Sequence, residues 1–299
     1  MFDTIIVGGS TAGLSAALYL GRFRYKVLII DSQKPANRFS HAAHGFFTRD
    51  GVSPAELVAI GKEQLDRYET VSFQTGEVTN IIPDGQQFEV ILADGSRYAA
   101  RKILLATGLK DTMPPITGVD QFWGSSIFHC PYCDGWEQRD QPVVIINRGK
   151  AALHISRLLR MLTVNLTVCS NGDSEMDSDQ LAFLTKQNIP LVETVIERVE
   201  GDGQQVKNII FADGTNLACK AIFIAPTVSQ HSGFAAQLGC EFMPNGTVKI
   251  DDNGRTSVKG IYAAGDISSP SRQLIFAASQ GAYAAIGINM DLIDEHFDT

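Results

Sequence analysis

The chain has 299 residues, of which 33 are acidic and 25 basic, for a formal charge of −8. That balance, with no long Lys/Arg run, argues against a general nucleic-acid binder. With 44% hydrophobic residues there is material for a sizeable core, and the length predicts two domains of about 150 residues each. Five cysteines make no disulfide framework and leave at least one unpaired, as expected of a cytoplasmic protein.

Met1-Phe2-Asp3 leads straight into an apolar strand, with no basic n-region or cleavage site, so no targeting segment is expected. Residues 4–7 read as this strand, Gly8-Gly9-Ser10-Thr11-Ala12-Gly13 as a turn, and residues 14–23 as a helix. A second strand over 26–30 ends at Asp31. Such a turn lets backbone N–H groups approach a pyrophosphate, and the helix N-terminus adds a favourable partial charge. Gly8 makes the tight turn and Gly13 permits close helix packing, while Ser10 replaces the middle glycine of G-x-G-x-x-G. Asp31 stands where an acid binds ribose hydroxyls. A nucleotide site is the reading on which these features agree; a merely structural turn is the alternative.

Ser53-Pro54-Ala55-Glu56 predicts a capped helix start. Strands punctuated by Asp84-Gly85 and Asp94-Gly95 follow, closing with the apolar run 103–106 and Thr107-Gly108. Beyond Pro114-Pro115 the layout repeats: a strand over 143–146, a helix over about 150–161, a strand over 164–169, and turns at Gly201-Asp202-Gly203 and Ala212-Asp213-Gly214. The apolar run 221–225 closes the repeat. The pattern predicts an α/β fold of two Rossmann-like dinucleotide-binding domains. A third signal, Ala264-Gly265-Asp266, precedes the uncharged stretch 273–290, which reads as a buried helix rather than a membrane span. The closing segment is too short for a third domain and is expected to complete the first. The predicted domains are therefore 1–112 with 246–299, and an inserted 113–245.

The sharpest motif is His129-Cys130-Pro131-Tyr132-Cys133-Asp134-Gly135. Cysteines spaced by two residues can close a small reducible disulfide, and Asp134 can shuttle protons to the thiolate. Zinc needs four ligands, and Cys169, Cys219 and Cys240 are isolated, so no metal is expected. A redox pair is the favoured reading, with zinc and a coincidental buried pair as alternatives.

Together these motifs resemble the low-molecular-weight thioredoxin reductase family of two-domain flavoproteins, in the family's order and over nearly the whole chain. The resemblance implies that the two outer segments bind FAD and that the inserted domain binds NADPH and carries the redox cysteines. It places Gly8, Gly9, Ser10, Thr11, Ala12, Gly13 and Asp31 on the FAD pyrophosphate and adenosine ribose. Ala106, Thr107 and Gly108 match a family signal, and Gly265-Asp266 reaches the pyrophosphate–ribityl region. Arg272 and Gln273 would lie by the flavin ring. Cys133 would exchange electrons with the flavin, Cys130 would attack the substrate disulfide, and Asp134 would act as acid–base. A homodimer acting on a thioredoxin-like protein or a small-molecule disulfide or dithiol is implied, with hinges at Pro114-Pro115 and near Pro244. The segment His41 to Gly51 looks more like a side branch that includes dithiol oxidases. There His41 and His44 either aid proton transfer or simply occupy a polar loop.

The second nucleotide turn departs from the family. Asn147 replaces the tight-turn glycine, Arg148 places a long side chain in the turn, and only Gly149 and the small Ala152 survive. The stretch Cys169-Ser170-Asn171-Gly172-Asp173 lacks the arginines expected for the NADPH 2′-phosphate. Ala225-Pro226-Thr227 stands where a glycine turn belongs. NADPH is therefore doubtful, and the chain looks like a candidate for the branch reduced by ferredoxin or carrying a second flavin. Arg148, Lys150, Arg157 and Arg160 form either a basic patch for an acidic donor or phosphate, or a solvated helix face. A non-enzymatic flavin-bound redox sensor is the competing class of function.

Overall fold

Phe2–Val7 forms β1, apolar and buried over its last four residues, and Thr11–Arg22 forms α1. In the computed structural model, which describes residues 1–297, β2 (Val27–Asp31) runs parallel to β1. There follow α2 (Pro54–Leu65), β3 (Val71–Thr75), β4 (Val78–Asp84), β5 (Gln87–Leu92), β6 (Arg97–Leu105) and β7 (Leu109–Thr112). The capping motif sets α2: Ser53 Oγ accepts the Glu56 N–H at 3.2 Å and Pro54 takes the first helical position. Gly85 and Gly95 turn the β4–β5 and β5–β6 connections at positive φ.

The next elements are α3 (Val119–Phe122), β8 (Ile127–Phe128), α4 (Pro131–Asp134), β9 (Val143–Ile146), α5 (Gly149–Leu159), β10 (Leu166–Cys169), α6 (Ser178–Lys186) and β11 (Leu191–Val192). After them come β12 (Ile196–Asp202), β13 (Gln205–Phe211), β14 (Asn216–Ala218) and β15 (Ala221–Ile224). A parallel sheet runs β11-β10-β9-β15-β8, and β12-β13-β14 form an antiparallel one. Every residue of β9 and β15 is buried, which is why both read as unbroken apolar runs. The chain closes through β16 (Thr227–Gln230), α7 (Phe234–Gln237), β17 (Ile261–Ala263) and α8 (Leu274–Phe297).

The first sheet has the order β3-β2-β1-β6-β5-β4, with β17 also on β6. Along one edge β6 changes partner, pairing antiparallel with β5 through Ala100 and parallel with β17 from Ile103. Two compact units result: 1–38, 45–110 and 228 onward make the first, and 39–44 with 111–227 the second. The return lies at Val228 rather than 246, because Phe234, Ala235, Cys240 and Val248 join the core of Ile5, Leu28, Val90 and Ile103. Pro244 is accordingly no crossing. It sits in a turn of the first unit, where the Gly246 N–H reaches Met243 O at 2.9 Å. The crossing strands β7 and β16 pair as a two-stranded ribbon.

Helix α8 also differs from the expectation of a buried helix. Ala277, Gly281, Ala284, Ala285 and Ile288 pack on Ala12, Ala16, Ala17 and Leu20 of α1. A Cβ at Gly281 would lie 2.1 Å from Ala12 O, so this crossing depends on the glycine. The other face exposes Phe276, Tyr283 and Met290, since absence of charge does not require burial on every side. Among the described residues no helix is long and apolar enough to cross a membrane.

Candidate active site

In the first unit β1, β2, β6 and β17 run parallel, and the chain leaves their carboxyl ends through Gly8, Asp31, Ala106 and Ala264. Parallel sheets bind ligands at such an edge. Gly8 has φ 114° and a Cβ there would lie 2.2 Å from Ala106 O; one at Gly13 would lie 2.0 Å from Gly8 O. Both positions therefore exclude a side chain. The Ala106 N–H donates to Val7 O at 2.9 Å and the Ala264 N–H to Leu105 O at 3.0 Å, drawing three loops together. The amides of Thr11, Ala12 and Gly13 belong to the first turn of α1, where no intrahelical acceptor exists, and Ser10 makes no side-chain cap. This glycine cradle with its helix amides fits a pyrophosphate-bearing cofactor such as FAD.

Asp31 has a role the sequence did not reveal. Its Oδ2 accepts the Gly9 N–H at 2.5 Å and its Oδ1 the Gln33 N–H at 2.6 Å, so it braces the turn. Each oxygen keeps a lone pair for a ribose hydroxyl. Arg272 Nε lies 3.6 Å from Asp266 Oδ2, and Gln273 immediately precedes α8. The Gly265 N–H donates to Gln280 Oε1 at 2.8 Å, Ser232 Oγ lies 3.1 Å from Thr107 Oγ1, and Gly108 O accepts the His231 N–H at 3.3 Å. The bonds made by Gln280 and Ser232 were not anticipated from the sequence.

In the second unit Cys130 and Cys133 form a disulfide with Cα atoms 5.3 Å apart. Cys130 caps α4 and Pro131 takes its first position, while the Cys133 N–H points to Cys130 Sγ at 3.2 Å. Gly135 closes the turn where a Cβ would meet Pro131 O at 2.4 Å. Tyr132 and Trp136 are exposed, with the Arg139 guanidinium 4.4 Å from the Trp136 ring centre. The segment 39–44 also belongs to this unit, backed by Gly124 against Phe39. It brings His44 Nε2 to 3.5 Å from Glu137 Oε1, while His41 stays exposed.

Burial pushes the Asp134 carboxyl up to about 7; Glu137 adds to the rise and His44 opposes it. A carboxyl half-ionised near neutrality can both give and take a proton. Glu137→Gln removes a neighbouring negative charge and thus favours the Asp134 carboxylate. If Asp134 serves as the acid–base group, the inflection it gives dithiol–disulfide exchange should then move down by roughly half a pH unit or more. Single-turnover rates across pH test this; an unmoved inflection would exclude Glu137. Cys169 and Cys219 are buried and their thiols pushed up to about 12 by desolvation, which leaves them inert packing residues.

At the second turn, the counterpart of the first, Arg148 lies along the loop after β10. Its Nε donates to Ser170 O at 2.8 Å, Nη2 to Asn171 O at 2.5 Å and Nη1 to Glu175 Oε1 at 3.2 Å. The Gly149 N–H at the start of α5 is taken by Ser174 O at 2.8 Å. Asn171 Oδ1 accepts the Ile196 N–H and Glu193 Oε1 the Ser174 N–H, so the loop after β10 is itself tied down. Of the two readings for the basic residues, a patch or a solvated helix face, the side chains divide: Arg148 is exposed but bonded to the loop, Arg160 is half-buried with its Nε covered, and Lys150 and Arg157 are exposed on α5.

The family model for pyridine nucleotide-disulphide oxidoreductases matches residues 2–282. The crystal structure of TrxB from Bacillus anthracis aligns with TM-score 0.95 and 39% identity, covering 99% of this chain and 100% of that one. Thioredoxin reductase tcpT of Claviceps purpurea is 32% identical over 278 residues, 88% of this chain and 86% of that protein. Thioredoxin reductase of Treponema pallidum is 30% identical over 304 residues, 95% of each. With a glycine cradle in one Rossmann-like unit and a Cys-x-x-Cys disulfide in the other, the chain belongs to the pyridine nucleotide-disulphide oxidoreductase family, as a thioredoxin reductase-like, FAD-dependent disulfide oxidoreductase.

Proposed function

We propose that this enzyme passes electrons between FAD and the Cys130–Cys133 pair and makes no efficient use of NADPH. The observation that carries the reading is the pairing of an intact redox disulfide with a second nucleotide turn filled by its own chain, through Arg148 and Ser174. Bound FAD supplies a two-electron store. The Gly8–Gly13 turn would hold its pyrophosphate and Asp31 its ribose. Ala106, Thr107, Gly108, Gly265 and Asp266 line the same strand edge, and Arg272 and Gln273 would take the flavin end.

In the oxidising direction a substrate thiolate attacks Cys130 Sγ, the Cys130–Cys133 bond breaks, and Cys133 leaves as a thiolate that Asp134 can protonate. The second substrate thiol then attacks the mixed disulfide and releases Cys130 as a thiolate. The substrate departs as its disulfide, and its two electrons rest on the cysteine pair until Cys133 hands them on. Run in reverse, the same residues reduce a thioredoxin-like protein or a small disulfide. The direction follows from the partner: oxygen as acceptor for a dithiol, or a ferredoxin-like or second-flavin donor for a disulfide. Anaerobic stopped flow tests the reading: a dithiol such as dithiothreitol should bleach the flavin band through the cysteines. Failure of any dithiol to do so in FAD-loaded enzyme would overturn it.

The working form we propose is a homodimer. On α8, Phe276, Tyr283, Met290 and Phe297 recur every seven residues, with Ile286 and Ile293 between them, and all six are exposed. This heptad stripe is long enough to pair with its own copy. Met290→Lys should shift the protein from dimer to monomer by light scattering. A wild-type monomer at micromolar concentration would refute the assignment.

A further inference from the structure

The second unit carries a cleft of about 370 Å³ between α5 and α6, within the size range of small-molecule sites. Lys150, His154 and Arg157 line it from α5, at positions i, i+4 and i+7 on one exposed helix face. Asp177, Asp179 and Gln180 line it from the start of α6. One wall is cationic and the other offers acceptors.

Asp177 is largely committed to the helix. Its Oδ1 accepts the Gln180 N–H at 2.9 Å and its Oδ2 accepts from Gln180 Nε2 at 2.7 Å. That second bond fixes which way the Gln180 amide faces. Gln180 is only 6% exposed, and its Oε1 is buried without a donor. Buried side-chain acceptors are nearly always satisfied, so an orphan at a cleft wall marks a place where a ligand supplies the missing N–H. Arg157 rests over the Phe183 ring at 5.1 Å, which steadies its guanidinium beside the cleft.

We infer that this cleft binds a small phosphorylated molecule carrying an N–H donor, of the size and chemistry of a nucleoside monophosphate. Its phosphate meets Lys150 and Arg157, and its N–H reaches Gln180 Oε1 once the Gln180 amide releases Asp177 Oδ2 and turns toward the cleft. Asp177 and Asp179 repel phosphate from the α6 wall and so set the ligand's direction. The site stands apart from the electron-transfer reading and uses none of its residues.

The test is calorimetric titration of FAD-loaded enzyme with AMP, adenosine and inorganic phosphate. AMP should bind at least about tenfold more tightly than either fragment, and Arg157→Ala and Gln180→Leu should each weaken it by about tenfold. Retained FAD content and melting temperature certify the variants as folded. If Gln180→Leu fails that check, the double variant of Lys150→Ala and Arg157→Ala, both on exposed side chains, takes its place. The inference is overturned if AMP shows no binding at about 5 mM. It is equally overturned if AMP binds no better than phosphate, or if the folded variants bind it as the wild type does.

Discussion

A Cys130→Ser enzyme is expected to lose disulfide turnover by about 10³-fold or more while keeping its FAD, as happens when a nucleophile is removed. Fold should survive because Cys130 is the N-cap of α4, a position where serine is among the preferred residues. No thiol outside the pair can replace it: Cys169, Cys219 and Cys240 are all buried. The glycine cradle lies in the other unit, so flavin content provides an internal control. Cys133→Ser should be equally inactive with a different signature. With its resolving partner gone, Cys130 should accumulate as a mixed disulfide with the substrate, visible by intact mass. A mixed disulfide on Cys133 in the Cys130→Ser enzyme would reverse the two roles, and retained turnover would end the cysteine mechanism.

How much of this was legible beforehand depended on whether the cause is local. The β9 run 143–146 and the α2 cap at Ser53 were readable because neighbouring residues set them: unbroken apolar burial in one case, a three-residue hydrogen bond in the other. The cysteine motif and first glycine turn were readable for the same reason. The unit boundary was not. Residues 228–245 carry short apolar pieces that fit either core, and only the distant partners Ile5 and Ile103 decide between them. The pairing of His44 with Glu137 stayed hidden because the two lie far apart in sequence and meet only where the segment 39–44 joins the second unit. Asp31 was assigned a ligand role from its place at a strand end, yet its bonds to Gly9 and Gln33 give it a structural one as well. Pro226, flagged as a missing nucleotide turn, directly precedes β16 and so marks the crossing between units.

With NADPH as sole reductant, the flavin band should bleach at least about 100-fold more slowly than with a good dithiol, a gap of about 3 kcal/mol in activation free energy. A dinucleotide phosphate needs the first amide of α5, and the Gly149 N–H is already given to Ser174 O. To reach it the cofactor must break that bond and lift a loop held by three donors from Arg148. Such bonds contribute about 1–3 kcal/mol each when charged and less where exposed, so displacement consumes much of the available binding energy. The loop's own charges, Asp173 and Glu175, further repel a 2′-phosphate. Arg148→Ala would unlatch the loop but create no phosphate ligand, and Asn147 would still fill the tight turn. The variant should therefore melt at a lower temperature yet gain less than about tenfold in NADPH reduction rate. Wild-type bleaching by NADPH as fast as by dithiol would show that the latch opens readily and return the enzyme to nicotinamide-dependent chemistry. Slow bleaching by both NADPH and NADH, with rapid bleaching by reduced ferredoxin or by dithiol, would identify the electron source directly.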